Sequence, residues 1–328
     1  MKPTVFKRWT FMGLVALVLL TPSWAAAQTT FGRIVVFGTS LSDPGNAFAL
    51  GGRVNTPPYD TLGPFLVPEP DMPYARGGHH FSNGATWIEQ FAGPLGLAGN
   101  VRPAFQGQSA GAANYAVGGA RARKYKDYVN LPDQVAAFLR DFNGAAPSDA
   151  LYVVEIGAND IRDALEALAA GADGGAVIAD ALTAVGNNIG ALYAAGARKF
   201  LVWNAPDIRL TPAIRILETI TPGAGQAAGF LTQAFNSNSG LGAVLAGLEA
   251  GLPGIEIVPF DVYRKLNDVV ADPATFGLHE VEEACVTPNL PPFACRTPDE
   301  FLFWDGLHPT AAAHAIIAQE AASALGQQ

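Results

Sequence analysis

Cysteine is almost absent from this chain of 328 residues: there are two, Cys285 and Cys295, with nine residues between them. Such a count excludes a multi-cysteine zinc ribbon, an iron–sulfur scaffold and a small disulfide-stapled fold. Charge is also sparse, at 15% of residues, and acids outnumber bases for a net −9. An acidic surface repels polyanions at long range, so neither nucleic acid nor an anionic membrane surface is an expected partner. Long apolar runs are lacking beyond the N-terminus, and no later segment reads as a span of the ~20 residues that a bilayer requires. With 49% hydrophobic residues, the chain has ample material for one large core.

The N-terminus is the exception. Lys2, Lys7 and Arg8 are followed by an apolar run, roughly 11–20, and by Ala25-Ala26-Ala27. This is the three-part pattern of a cleavable secretory signal peptide, expected over 1–27, with the working domain over 28–328. Removing three basic residues and no acid takes the net charge to −12. The alternative, an uncleaved anchor, has about half the apolar length it needs. Export places the two cysteines in an oxidising compartment, where a close pair is expected to form a disulfide. The rival reading, half of a metal site, lacks a surrounding histidine–cysteine cluster.

Continuous apolar runs recur at 33–37 (RIVVF), 151–156 (LYVVEI), 199–203 (KFLVW) and 255–260 (IEIVPF), with a further strand expected near 113–117. Runs without alternation suit strands buried on both faces of a parallel sheet. Helical stretches lie between and after them, at 160–170, 175–195, 227–250 and 310–325. Strand alternating with helix predicts a doubly wound α/β fold. Residues 51–84, rich in Gly and Pro, read as a long surface excursion that shapes a pocket or is a plain loop.

The first strand runs into Gly38-Thr39-Ser40-Leu41-Ser42-Asp43. In a doubly wound sheet, ligands bind beyond the carboxyl ends of the strands, so Ser40 stands where a substrate can reach it. A serine hydroxyl needs a base, and the base needs a carboxylate to orient it. Of five histidines, His308 lies in Trp304-Asp305-Gly306-Leu307-His308-Pro309, with Asp305 three residues before it. Pro309 is expected to open a helix and so to fix His308 at its start. Asn114–Gly119 and Gly157–Asp160 each follow a strand, and could supply backbone or side-chain N–H donors for an oxyanion. Taken singly, each has a plain reading as a turn or a helix cap. The α/β-hydrolase elbow G-x-S-x-G is absent, because position 42 is Ser.

Taken together, FGTSLSDPGN (37–46), FSNGATWIEQFA (81–92), NYAVGGA (114–120), GAND (157–160), NAPDIRLTP (204–212) and FWDGLHP (303–309) resemble the SGNH/GDSL hydrolases, in particular the bacterial branch of lipases, phospholipases and haemolysin-like acylhydrolases. The resemblance implies a three-layer, flavodoxin-like α/β/α sandwich. It implies Ser40 as nucleophile, His308 as base and Asp305 as its partner. The oxyanion hole would comprise the N–H groups of Ser40 and Gly119 and the Asn159 amide, with Gly118 the lesser candidate. Neither metal nor organic cofactor is implied. The expected partner is a small-molecule or lipid ester, with acyl transfer, carbohydrate deacetylation or an inactive exported binding module as alternatives. One departure stands out: the motif's Asp before the nucleophile is Thr39. Asp43 and Asn46 are expected to shape the turn. Phe65, Leu66, Phe293, Phe301 and Trp304 are candidates for an acyl site, against a plain role in packing.

Overall fold

The computed structural model describes residues 31–59, 72–107 and 111–326, with Met1 and Pro70. Apart from Met1, the expected signal segment 1–27 lies outside the described residues, as do Phe65 and Leu66.

Four parallel strands form the main sheet in the order β1 (Arg33–Gly38), β2 (Ala150–Glu155), β3 (Lys199–Trp203) and β4 (Glu256–Phe260). The predicted strand at 113–117 is ragged rather than regular. Val36 donates to Ala113 O and Tyr115 to Val36 O, and Val117 donates to Gly38 O, so this segment runs parallel to β1 on its free edge. Counted by chain position, the spatial order is second, first, third, fourth, fifth. That is the doubly wound flavodoxin-like order, and its switch point falls beside the carboxyl end of β1.

Strand side chains alternate between two cores. On one face Val35, Phe37, Tyr152, Val154, Phe200 and Val202 meet α3 (Leu131–Asp141), α4 (Ala158–Ala169), α5 (Gly174–Ala194), α7 (Ala224–Asn236) and α8 (Leu241–Gly251). On the other, Ile34, Val36, Leu151, Val153, Leu201 and Trp203 meet α2 (Trp87–Ala92) and α10 (Ala311–Gly326). Burial on both faces is why these strands read as unbroken apolar runs. Each large side chain so enclosed contributes about 1.5–3 kcal/mol. Helix α5 is long and apolar enough to cross a membrane by length and composition, contrary to the sequence expectation. The reason is its Ala-rich composition; Ile178, Ala181, Val185, Ile189 and Leu192 are buried in the first core.

Three further departures have local causes. The predicted helix over 227–250 is two helices, because Ser237 takes an extended conformation and the Ser237–Gly240 turn interrupts the ladder. Helices α1 (Asn46–Gly51), α2, α3, α6 (Pro212–Ile220) and α9 (Val262–Ala271) fill segments the sequence left unassigned. Pro309 does not open a helix: Thr310 caps α10, its Oγ1 accepting from the Ala313 N–H at 3.1 Å. A second, two-stranded parallel sheet pairs β5 (Glu280–Ala284) with β6 (Phe301–Phe303). The Cys285–Cys295 disulfide closes the loop between them.

Candidate active site

Ser40 begins the turn at the carboxyl end of β1, and that turn is fixed from several sides. Asp43 is fully buried, and its carboxylate accepts N–H groups from Gly45, Asn46, Ala47 and Gly118 at 2.5–3.1 Å. Burial pushes its carboxyl up to about 6, against the pull of those donors. Asn46 donates to Asn114 O and Ala116 O, both at 2.8 Å, and Asn114 donates to Ser42 O at 2.8 Å. The turn carrying Ser40 and the loop carrying Gly118-Gly119 are therefore laced together by buried hydrogen bonds.

Ser40, His308 and Asp305 come together. Ser40 Oγ lies 2.8 Å from His308 Nε2, and His308 Nδ1 lies 2.9 Å from both Asp305 oxygens. Asp305 Oδ1 also accepts the N–H groups of Leu307 and His308 at 2.8 Å, which closes the Asp-x-x-His turn. The other histidines do not reach Ser40. His80 Nε2 faces Glu89 at 2.9 Å as an ion pair rather than an aligned hydrogen bond. Burial lowers the His80 pKa, but the Glu89 carboxylate outweighs it and the net direction is upward. His314 is buried and pulled down to about 3, hence neutral. His79 stacks on Phe48, and His279 lies near Glu300.

The expected oxyanion donors line the same groove, of about 280 Å³, as Ser40 and His308. Gly118 is excluded as a donor because its N–H is held by Asp43. A Cβ on Gly118 would strike the Phe81 ring at 2.2 Å, and Gly119 has φ +78°, so both positions require glycine. Among the described residues, the N–H groups of Ser40 and Gly119 have no protein acceptor. Asn159 spends one amide hydrogen on Ala120 O at 2.9 Å and keeps the other. Arg121 and Arg123 pair with Asp163, and Asp160 accepts the Ala122 N–H, so the glycine loop is tied to the first turns of α4.

Two contributors were missed in the sequence. Tyr74, fully buried, donates its hydroxyl to Asp305 Oδ2 at 2.9 Å. Burial, then the Asp305 charge, holds its phenol well above the usual range, so it remains a donor. Tyr74 belongs to the segment read as a surface excursion, and nothing local marks it. Glu155, at the end of β2, accepts the Thr39 N–H and hydroxyl at 2.9–3.0 Å. A visible signal existed there: an acid inside an apolar strand run. Phe293, Phe301 and Trp304 do not line the groove. They pack with Tyr59, Tyr74 and Cys285 in a small cluster around the disulfide, because the β5–β6 sheet must bury its own apolar face.

A hydroxyl, an imidazole, a carboxylate and unspent N–H donors thus lie together at the switch point of a doubly wound sheet. The chain belongs to the GDSL-like lipase/acylhydrolase family, whose model matches residues 34–321. It is 26% identical to a phosphatidylcholine-sterol acyltransferase of Aeromonas hydrophila, over 98% of both chains. It is 26% identical to a GDSL esterase/lipase of Arabidopsis thaliana, over 88% of this chain and 85% of that one. A lipase/acylhydrolase from Enterococcus faecalis aligns with 90% of this chain and 96% of its own, at 12% identity and a TM-score of 0.37.

Proposed function

We propose that this protein is an exported esterase that cleaves carboxylic esters, lipid esters among them, through an acyl-serine intermediate. The observation carrying this reading is the unbroken contact from Ser40 Oγ through the His308 ring to Asp305. His308 Nε2 takes the Ser40 proton as Oγ attacks the ester carbon. The N–H groups of Ser40 and Gly119 and the spare Asn159 amide hydrogen receive the oxyanion, and each such donor is worth about 2.7–4 kcal/mol in the transition state. His308 then protonates the departing alcohol. Water, deprotonated by the same nitrogen, releases the acid and restores Ser40. The signal pattern at 1–27 supports export, with 28–328 as the mature domain.

A fluorophosphonate probe tests the nucleophile. Wild type is expected to be labelled and Ser40→Ala not; equal labelling of the two rejects the reading.

The acyl chain is assigned to an apolar slot that adjoins the groove. Leu41, Trp203, Leu266, Leu302, Leu307 and Ile317 line it, and Leu41 and Leu307, the neighbours of Ser40 and His308, line the groove as well. Leu266→Trp is expected to depress hydrolysis of nitrophenyl dodecanoate far more than that of nitrophenyl acetate. A uniform effect on both esters rejects the slot. Acyl transfer to an alcohol other than water is the second reading, favoured by the end-to-end match to an acyltransferase. The ratio of new ester to free acid, measured with an added sterol or alcohol, separates the two outcomes.

A further inference from the structure

Glu155 is a buried carboxylate that no step above uses. It ends β2 in register with Gly38, the residue before the Thr39–Ser40 pair. The approach is so close that a Cβ on Gly38 would stand 2.8 Å from Glu155 Oε2. Glu155 is 2% exposed. Its Oε2 accepts the Thr39 N–H at 2.9 Å, and both oxygens accept the Thr39 hydroxyl, at 2.9 and 3.0 Å. The N–H and hydroxyl of Thr39, the residue before Ser40, therefore converge on one acid from the neighbouring strand. On the far side of Ser40, Ser42 Oγ accepts from the Trp87 indole at 2.9 Å.

Thr39 occupies the position at which the resembled motif carries Asp. A carboxylate at both 39 and 155 would bring two acids into contact in a dry site, where both cannot ionise cheaply. A hydroxyl at 39 and an acid at 155 satisfy each other.

We propose that Glu155 is a positioning residue for the nucleophile: its carboxylate, rather than one at position 39, holds the turn that sets the Ser40 hydroxyl and N–H. This rests on the esterase reading for its catalytic consequence, but the pairing itself is measurable without turnover. Burial pushes the Glu155 carboxyl up to about 7, so the assays belong at pH 8 or above.

The experiment is a double-mutant cycle over positions 39 and 155, read in melting temperature and in ester kinetics. Glu155→Gln keeps the shape and removes the charge and one acceptor. Its kcat is expected to fall by about ten- to a hundredfold with KM little changed, since misplacement of the reacting group acts on turnover. Thr39→Asp is expected to lower both melting temperature and kcat. The double variant T39D/E155Q moves the charge across the pair, with the Gln amide donating to the new Asp, and should recover both quantities relative to T39D. Thr39→Val, which keeps the backbone contact and loses the hydroxyl, covers the case in which Glu155→Gln does not fold. It should lower kcat, whereas Thr39→Ser should not. Wild-type kcat in both Glu155→Gln and Thr39→Val, or a double variant no more stable and no more active than T39D, overturns the proposal. If wild type itself cleaves no ester, the esterase reading fails, and the melting-temperature coupling alone still decides whether the pair exists.

Discussion

The two halves of the candidate active site are held by different devices. Ser40 and the oxyanion loop ride on the main sheet, laced by Asp43, Asn46, Asn114 and Glu155. His308 and Asp305 ride on a peripheral module: the β5–β6 pair, the disulfide and the Tyr59–Tyr74–Trp304 cluster. Buried hydrogen bonds within a central sheet open only with the whole domain, whereas a small satellite unit opens locally at lower cost. The serine half should therefore fail with the fold, and the histidine half before it.

The largest expected effect is chemical. Asp305→Asn leaves the turn in place but removes the charge that orients His308, and kcat should fall by about 10³–10⁴-fold. Steady-state kinetics showing only a raised KM would contradict this. Next comes the disulfide. Reduction, or the Cys285→Ala/Cys295→Ala variant, should cost about 2–3 kcal/mol for a loop this short. Ester hydrolysis should then be lost, on heating, several degrees before the main-sheet circular dichroism signal. Coincident loss of the two signals denies the local character of the module. Smaller again, Tyr74→Phe and Asn46→Ala each strand buried partners, at about 1–3 kcal/mol. Tyr74→Phe should lower kcat roughly tenfold with little change in global melting, and Asn46→Ala should lower melting chiefly. An exchange of those phenotypes would invert the comparison.

The gentlest effect is a slope in pH. Burial raises the Glu155 pKa from 4.5 to about 7 in the fold, so the native state binds the proton more tightly than the unfolded chain. Stability from this group is full below about pH 4.5 and is lost as pH rises through about 7, by at most about 1.4 kcal/mol per pH unit. Denaturant titrations of Glu155→Gln should show that slope reduced, while Cys285→Ala/Cys295→Ala should keep it.

Legibility followed the same division. The sheet half was readable because doubly buried strands carry their pattern locally: RIVVF, LYVVEI and KFLVW became β1, β2 and β3 within a residue at each end. The residues expected at the site, 40, 119, 159, 305 and 308, each stand in a short motif that is read locally, although the motifs themselves are far apart in the chain. The satellite module was not. Strand β5 is acid-rich and partly exposed, so it shows no apolar run. Tyr74 lies 231 residues from the carboxylate it serves, and only tertiary contact reveals that partnership. Segment 113–117 falls between these cases: its burial is that of a strand, yet its regular pairing with β1 is confined to the bridge between Asn114 and Val36.

Asp43 carries a last consequence. By claiming the Gly118 amide, it leaves a single unclaimed hydrogen on the tandem glycines, that of Gly119. An arriving carbonyl oxygen thus finds one docking direction on that stretch instead of two competing ones. Stereochemical fidelity toward chiral esters would accordingly depend on a side chain that never meets them.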